Sequence, residues 1–495
     1  MSDVKIIRVR NLVIIEVADE KLRSRLFSEL VNNLSYYELD LSYKYSYGHN
    51  KPQLIFRSLY KYDTNYRLIT LAGLLDIVEK VIKKHTDNIK FIWQWPEKID
   101  GIDINQWLAC YEPNWDNVYS KFSFRPGQEE ALRIISNSTH GIIKAPTGFG
   151  KMILIAMTCC LYPKATIDIV TKRRDLIKQL LMCLAKYLPD VSLGKPNCSR
   201  QDRVMIWSAM SYHHSRRQPH FLLGDEVHEL AAKQISTKLT RSYYSRNFGF
   251  SATPLGRLDK ADLRTHSLFG PIIYNMCYSE AVARGLVVPI EVIWYDTNYS
   301  RKLITKTRGY TGVQLERWAI WRNDERNALI AAVARQYEDK QVQIVVRTVE
   351  HGLYLRKFLP EYTFIYDHID EEDVLKYINK GLLNANEELL TPAKRFELRK
   401  QFEDGTLKKV ISTYVWAVGI DAKNLDVVIR ADACSSEILT IQVPGRVSRI
   451  NEQGKSVGVL CDFLDSFHSA LHSRANLRRK VYEKLGWSQT RGSIK

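Results

Sequence analysis

The segment "GIIKAPTGFGKMILIAMTCCLY" (residues 141–162) constrains the fold of this chain more than any other stretch. A short apolar run leads into a loop with two glycines, and an apolar stretch of helical length follows. Backbone N–H groups of such a loop, with the helix N-terminus behind them, can surround phosphate oxygens. The segment therefore predicts an α/β unit with a phosphate site at a strand end, where Lys151 reaches the β- and γ-phosphates of a nucleotide.

Met152 departs from the usual pattern of this loop. The pattern has Ser or Thr after the lysine because the hydroxyl holds Mg²⁺, and a thioether is a poor ligand for a hard cation. Since Mg²⁺ normally keeps several waters, a water can take the place of the missing hydroxyl. We expect active nucleotide hydrolysis with a raised Mg²⁺ requirement, which Met152→Ser would relieve.

Two series of short apolar runs alternate with helical segments along the chain. Such alternation predicts parallel sheets with helices on both faces, so two series predict two α/β domains in tandem. The strand candidates are residues 141–145, 166–170, 204–207, 221–224, 248–251, 343–347, 363–366, 409–413, 426–430 and 457–461.

The first 112 residues predict a separate small α/β domain. Residues 11–18 have the pattern of a strand, and residues 20–34 and 69–84 have the pattern of amphipathic helices. Alternating Tyr43, Tyr45 and Tyr47 either stack on bases or form the core face of a strand, and strict alternation favours the core. The predicted domains are 1–112, 113–290 and 291–495.

The charge of the chain indicates a polyanionic partner. The formal net charge is +17, yet residues 1–112 carry 16 basic and 15 acidic side chains, so the excess lies in 113–495. No stretch reaches the roughly 20 apolar residues of a membrane helix, and the N-terminus lacks a signal-peptide core. We therefore expect a soluble cytoplasmic protein without a membrane partner. The cysteine spacing does not suggest a metal site.

Two carboxylates end an apolar run in "LLGDEVHEL". Carboxylates at the carboxyl end of a buried strand face the ligand crevice of an α/β sheet. Asp225 would bind Mg²⁺ largely through its water shell, Glu226 would polarise the attacking water, and His228 would couple this site to a nucleic-acid track. An acidic helix cap is the plainer alternative, but it does not explain two carboxylates and a histidine at this spacing.

Two further motifs complete the set. Ser251 and Thr253, in "GFSATP", form either a polar turn or a hydrogen-bonded link between the nucleotide site and the nucleic-acid track. Gln442, Arg446 and Arg449, in "QVPGRVSRI", stand at i, i+4 and i+7 and so share one face of a predicted helix. Two arginines on one face can neutralise γ-phosphate charge in the transition state, although an exposed basic helix alone would look the same.

In this order the motifs resemble those of superfamily 2 helicases, over roughly residues 121–465. "APTGFGK" resembles motif I, "DEVH" motif II, "SATP" motif III and "QVPGRVSR" motif VI. The resemblance implies an α/β fold of two tandem RecA-like parallel-sheet domains, preceded by a small α/β nucleic-acid-binding domain. It also implies ATP hydrolysis, with ATP and Mg²⁺ as cofactors bound in the cleft between the two domains.

The same resemblance assigns further residues. "FSFRPGQEEAL" is similar to the adenine-reading segment, "VTKRRDLIKQL" to motif Ia and "STYVWAVGID" to motif V. The implied cofactor-binding residues are Phe124, Arg125, Gln128, Ala145, Pro146, Thr147, Gly148, Phe149, Gly150, Lys151, Met152, Gly419 and Asp421. The implied nucleic-acid contacts are Thr171, Lys172, Arg173 and Thr413.

Within the superfamily, "DEVH" and "ARGLVVP" resemble the XPB/UvsW-type branch, which is RecG-like in its branch-migration activity. "LSYKYSYGHNKPQLIF" resembles the N-terminal module of phage UvsW-type helicases. This resemblance implies a phage motor that moves 3′ to 5′ in a bacterial host cytoplasm. It would remodel forks, Holliday junctions and D-loops in replication, recombination or repair. The expected partners are DNA with branches or a single-stranded portion and phage recombination or replication proteins, with the chain itself a monomer.

Three other functions stay open at this point. A motor subunit of a restriction complex would have a stable partner carrying the nuclease. A DNA-annealing or architectural protein that only binds nucleotide would act without ATP, unchanged by Glu226→Gln. An RNA helicase also fits, because no motif above reads a 2′-hydroxyl.

Overall fold

The computed structural model divides the chain into two compact units, residues 1–276 and 277–495. Each unit is described by itself. Among the described residues, none of the helices combines the length and apolar character that crossing a membrane requires. The described residues are 3–39, 54–94, 101–105, 124–172, 174–188, 190–194, 202–212, 218–242, 244–257, 259–296, 299–416, 420, 422–451 and 454–494.

The N-terminal module, residues 3–94, is built on a mixed five-stranded sheet in the order β5-β6-β2-β1-β7. Side chains of β1 and β2 alternate between buried and half-buried because successive residues of a strand face opposite sides. The buried side chains pack against the two helices. The elements are β1 (Val4–Val9), β2 (Leu12–Val17), α1 (Glu20–Asn33), β3 (Ser35–Leu39), β4 (Leu54–Ser58), β5 (Tyr60–Tyr62), β6 (Leu68–Leu71), α2 (Leu75–Ile82) and β7 (Ile89–Gln94).

The module differs from its prediction in one element. The helix predicted over 69–84 is wrong in its first part: the chain forms β6 and a 3₁₀ turn before α2 begins at Leu75. The reason is tertiary, because β6 pairs with β2 and Gly73 packs against backbone carbonyls of His266 and Ser267. Tyr43, Tyr45 and Tyr47 lie outside the described residues.

The rest of the first unit is a seven-stranded parallel sheet, the first parallel sheet, in the order β10-β11-β9-β12-β13-β8-β14. Its strands are β8 (His140–Lys144), β9 (Ile167–Thr171), β10 (Val191–Leu193), β11 (Val204–Ser208), β12 (Phe221–Asp225), β13 (Arg246–Ser251) and β14 (Ile272–Asn275). Its helices are α3 (Gln128–Asn137), α4 (Lys151–Leu161), α5 (Arg174–Leu184), α6 (Val227–Leu230), α7 (Lys233–Thr240) and α8 (Asp262–Phe269). Strands β9 and β12 are buried along their whole length, as expected of a sheet covered on both faces.

The module is docked on this sheet by buried polar contacts. Arg8 is buried and donates to Thr139 Oγ1 at 2.6 Å and to the Ser245 carbonyl at 3.0 Å. Arg264 of α8 pairs with Glu38 of β3 at 2.7 Å. Buried charges need such partners, so these contacts fix where the module sits on the first parallel sheet.

The second unit is another seven-stranded parallel sheet, the second parallel sheet, in the order β17-β18-β16-β19-β20-β15-β21. Adjacent residues of β16 pack into different apolar clusters, Ile344 on one face and Val345 on the other. The strands are β15 (Ile290–Tyr295), β16 (Val342–Val345), β17 (Thr363–Ile365), β18 (Lys409–Ser412), β19 (Val427–Arg430), β20 (Gly458–Phe463) and β21 (Ser488–Arg491). The helices are α9 (Tyr278–Ala283), α10 (Arg301–Thr307), α11 (Gly312–Leu315), a π-helix (Glu316–Trp321), α12 (Asp324–Arg335), α13 (Val349–Arg356), α14 (Glu371–Asn379), α15 (Pro392–Glu403), α16 (Glu437–Gln442) and α17 (Ser469–Lys484).

The predicted fold class is therefore confirmed: two parallel sheets follow a small α/β module along the chain. Every strand candidate of both series overlaps an observed strand. The predicted boundaries at 112 and 290 stay predictions.

Candidate functional site

The loop between β8 and α4 has the backbone of a phosphate cradle. Gly148 and Gly150 adopt left-handed conformations, with φ of 93° and 89°. A Cβ atom at Gly150 would lie 2.5 Å from Nε2 of Gln128, so a larger residue fails there on conformation and on space. Lys151 is the first residue of α4, which places the loop at a helix N-terminus.

Two residues of the segment resembling the adenine reader brace this loop. Gln128 is fully buried; its Nε2 donates to the Phe149 carbonyl at 2.7 Å and its Oε1 accepts from Arg125 N at 2.9 Å. The Arg125 guanidinium donates to the Gly148 carbonyl at 2.6 Å. Phe124, directly before them, is half-buried. These contacts fix the loop whether or not the same residues read a base.

The lysine of the loop lies close to its own backbone. Lys151 Nζ donates to the carbonyls of Ala145 and Pro146 at 3.0 and 3.2 Å. Thr147 and Met152 are half-buried, and Phe149 is buried. The ammonium group is thus held over the cradle, where phosphate oxygens would be bound.

The acidic pair stands two strands away at the same edge of the sheet. Asp225 is the last residue of β12 and is buried; Glu226 follows in a left-handed conformation with φ of 52°. Burial and the adjacent Glu226 carboxylate raise the pKa of Asp225, while Lys151 acts in the opposite direction. A non-glycine residue at positive φ is uncommon and tends to occur at functional sites.

The three predicted coupling residues meet at Glu226. Ser251, the last residue of β13, donates through Oγ to Glu226 Oε2 at 3.0 Å and accepts from Thr253 N at 3.1 Å. His228 Nδ1 lies 3.1 Å from the same hydroxyl and 3.5 Å from Glu226 Oε2. Since β13 lies between β12 and β8, this hydroxyl stands between the acidic pair and the loop.

Sequence reasoning missed the residues that hold His228 from behind. Arg257 donates to the His228 carbonyl and pairs with Asp259. The Asp259 carbonyl in turn accepts from Leu39 N of the N-terminal module at 3.0 Å. The only signal in the sequence is a basic and an acidic residue two apart, which is too common to identify a site.

The helix predicted through Gln442, Arg446 and Arg449 is wrong. Helix α16 ends at Gln442, and a 3₁₀ turn spans Pro444–Arg446. Proline lacks the N–H that an α-helix would need and disfavours helical backbone before it. The two arginines still converge, because each donates to the Ile420 carbonyl, Arg446 at 3.3 Å and Arg449 at 2.8 Å.

The predicted nucleic-acid contacts are only partly described. Thr171 is the buried last residue of β9, and Lys172 after it is exposed. Thr413 is half-buried directly after β18. Arg173, Gly419 and Asp421 lie outside the described residues.

The residues of the first unit fit a magnesium nucleotide. The glycine cradle leaves no room for a side chain at Gly150, which suits a backbone that must approach phosphate closely. Lys151 supplies a positive charge, and Asp225 supplies one carboxylate oxygen set. One carboxylate is adequate for Mg²⁺, which takes its other ligands from phosphate and water.

Two family models match the chain. Residues 121–256 match the one described as "Type III restriction enzyme, res subunit", and residues 324–451 match "Helicase conserved C-terminal domain". The first match contains the loop and the acidic pair; the second contains Thr413 and the two arginines.

Curated relatives agree with these models. The ATP-dependent DNA helicase uvsW of Enterobacteria phage T4 is 23% identical over 461 residues, 86% of this chain and 86% of that protein. A helicase-named protein of Sulfolobus islandicus filamentous virus is 24% identical over 368 residues, 67% of this chain and 61% of that protein. This chain therefore spans less than two thirds of the length of the viral relative.

The fold also occurs among solved structures. S. cerevisiae Dbp5 bound to RNA and ADP BeF3 superposes with a TM-score of 0.51 and 15% identity, over 74% of this chain and 89% of that chain. At this identity the likeness concerns the fold alone.

Proposed function

This chain is an ATP-dependent helicase of superfamily 2, and from that premise we propose that it remodels branched DNA. Forks, Holliday junctions and D-loops are the proposed substrates. The observation that carries the proposal is the cluster at Glu226, in which a strained carboxylate beside a phosphate cradle is held by Ser251 and His228. Such a cluster is suited to hydrolysis, and an architectural protein would not need it.

The chemistry assigned to this chain's residues follows from their positions. Glu226 orients the attacking water and accepts its proton, while the Ser251 hydroxyl keeps Oε2 in place. Lys151 neutralises phosphate charge, and Asp225 holds the metal. When bound, ATP supplies the phosphoanhydride bond and Mg²⁺ supplies further positive charge. We assign Gln442, Arg446 and Arg449 to the γ-phosphate.

The DNA assignment rests on charge and on the relatives. Almost the whole excess of +17 lies after residue 112, and the phage relative is named as a DNA helicase. We propose that Thr171, Lys172, Arg173 and Thr413 contact the backbone and that the N-terminal module selects branched DNA. A monomer in a bacterial host, working with phage recombination or replication proteins, is the proposed setting.

A second candidate function has one observation in its favour. The model matching residues 121–256 is described by a restriction-enzyme subunit, which would make this chain the motor of a restriction complex. That reading requires a stable nuclease partner. Purification of the native complex would separate the two, because the leading proposal expects the chain alone to unwind forks.

The decisive experiment measures ATP hydrolysis with and without forked DNA in wild type and Glu226→Gln. We expect DNA-stimulated hydrolysis that falls at least about 100-fold in the variant, since a general base contributes about 10²–10⁴-fold. Glu229→Gln is the matched control, because it removes a carboxylate from the same short helix without touching Ser251. Fork unwinding by Glu226→Gln at the wild-type rate would refute the motor proposal.

A further inference from the structure

One segment of the second unit carries charge that the motifs above do not use. Residues 299–322, here called the basic segment, contain six Lys or Arg and one Glu, a net charge of +5. The segment runs from just before α10 to the end of the π-helix. Helix α10 buries Thr307 and half-buries Leu303, which are one turn apart, so its charged positions fall on the outer faces. The exposed basic residues are Arg301, Lys302, Lys306 and Arg308.

Buried carboxylates anchor the segment without neutralising it. Glu316 accepts from Arg347 at 2.5 Å and from Arg474 at 3.0 Å. Glu350 lies within 4 Å of three cations: Arg322 at 2.5 Å, Lys380 at 3.3 Å and Arg317 at 3.8 Å. Five cations thus share two carboxylates, and the surface keeps an excess of positive charge.

Further contacts order the segment. The Lys306 ammonium lies 3.8 Å from the centroid of the Trp318 ring, and the Arg322 guanidinium lies 5.0 Å from it. At the start of the segment, Glu325 accepts from the backbone N–H and the hydroxyl of Ser300 at 2.7 and 2.5 Å. Glu325 is the acidic residue that faces this end. A cationic surface held in place loses less entropy on binding than a flexible tail.

The basic segment is continuous with a residue already assigned to nucleic acid. Strands β16 and β18 are paired, with Val345 opposite Ser412. Arg347 and Thr413 follow these two residues and so leave the sheet at the same edge. Because Arg347 pairs with Glu316, the π-helix is attached at this edge beside Thr413.

We propose that the basic segment is a second contact surface for the phosphate backbone of nucleic acid. Its exposed side chains meet successive phosphates on a strand that passes Thr413, and the two buried glutamates hold the surface in place. An ordered array of cations at a helicase sheet edge matches the spacing of a polyphosphate strand. This inference rests on the proposed function, since it assumes a nucleic-acid track at Thr413.

The test compares two triple variants of the full chain. Arg301→Gln, Lys302→Gln and Arg308→Gln together remove three charges from the basic segment. Lys394→Gln, Lys400→Gln and Lys408→Gln together remove three exposed charges from elsewhere in the same unit. Fluorescence anisotropy gives the Kd for forked DNA across a salt series, and thermal unfolding verifies that both variants are folded.

We expect the segment variant to lower the slope of log K against log salt by about 2–3, because each neutralised duplex phosphate contributes about 0.9. The control triple should keep the wild-type slope. Equal slopes in wild type and the segment variant would overturn the inference and leave an acidic protein as the better partner for this surface. Equal losses in both triples would overturn it too, because the effect would then be one of net charge.

The two proposals fail differently in this experiment. A wild-type chain that neither binds forked DNA nor hydrolyses ATP refutes the proposed function. A wild-type chain that does both, with an unchanged slope in the segment variant, refutes only the basic segment.

Discussion

Met152 is the residue at which this site departs most from its pattern. It is half-buried at the second position of α4, where a hydroxyl would normally reach the metal. The cradle, Lys151 and Asp225 are all in place around it. The departure therefore concerns one metal ligand, and water in that position would be held less firmly than a covalently fixed hydroxyl.

Met152→Ser should lower the Mg²⁺ concentration that gives half-maximal ATP hydrolysis. One added ligand of about 1 kcal/mol corresponds to a change of about fivefold. The measurement is a Mg²⁺ titration of the hydrolysis rate at saturating ATP. Ile153→Ser, one residue further along α4, places the same hydroxyl on another face and should leave the titration unchanged. Identical titrations of wild type and Met152→Ser would show that the thioether costs nothing.

Ser251 is a residue whose importance comes from what it holds. Its hydroxyl joins Glu226, His228 and the backbone of Thr253. Ser251→Ala should lower kcat about tenfold while nucleotide binding is retained, since losing a hydrogen bond to a charged group costs about 1.5–3 kcal/mol. Single-turnover hydrolysis and nucleotide binding, measured separately, would check this.

The matched control for that change is Ser267→Ala. Ser267 is equally buried but donates to the Arg264 carbonyl within α8, away from Glu226. It should keep the wild-type kcat. A normal rate in Ser251→Ala would mean that Glu226 keeps its position through His228 or the backbone alone.

At the scale of elements, sequence patterns predicted the parts of the fold that are local. Each strand candidate of the parallel sheets overlaps an observed strand because buried parallel strands are continuous apolar runs. Strand β21, "SQTR", was not predicted because an edge strand of polar residues has no such run. The end of α16 was misplaced because i, i+4 spacing was given more weight than Pro444.

The candidate site shows the same limit. Lys151, Asp225 and Glu226 stand in motifs whose chemistry can be argued from the sequence. Contacts between distant segments cannot be argued in this way: nothing local to Arg257 indicates that its guanidinium meets the His228 carbonyl. Nor does the sequence near Glu38 indicate a partner 226 residues away. The roles of the motif residues stay predictions that the mutants above would test.

The contact between β3 and α8 leads to a prediction about stability. Glu38 accepts from Arg264 at 2.7 Å and from Arg57 at 2.8 Å. Burial opposes its ionisation, but these two hydrogen bonds lower the pKa of Glu38 below its ordinary value of 4.5. Glu38→Gln should destabilise the first unit by about 1.5–3 kcal/mol at pH 7, measured by urea unfolding.

The pH dependence has a definite sign. A carboxylate whose pKa is lowered on folding stabilises the fold above its unfolded pKa and loses that contribution as the pH falls. The difference between wild type and Glu38→Gln should therefore shrink below about pH 4.5. Glu16→Gln is the control: its pair with Lys5 is 38% and 42% exposed, so we expect at most about 1 kcal/mol. A constant difference from pH 7 to pH 3 would contradict the ionic explanation.

At the scale of the whole molecule, chemistry and charge are distributed unequally along the chain. The cradle and the acidic pair belong to the first unit, whereas the arginines and the basic segment belong to the second. Each unit has its own parallel sheet and its own buried apolar side chains. Separate cores predict that the two units unfold in separate steps, because cooperative unfolding is a property of single domains.

Calorimetry with a non-hydrolysable ATP analogue and Mg²⁺ tests this arrangement. We expect two thermal transitions, of which the one belonging to the first unit rises most on adding nucleotide. At 100 times its Kd a ligand stabilises the folded state by about 2.7 kcal/mol, enough to move a transition by several degrees. Lys151→Ala should abolish the shift and keep both transitions. A single transition would show that the units unfold together. Equal shifts of two transitions would mean that nucleotide is held as firmly by the second unit, so that Arg446 and Arg449 contribute to binding as much as the cradle does.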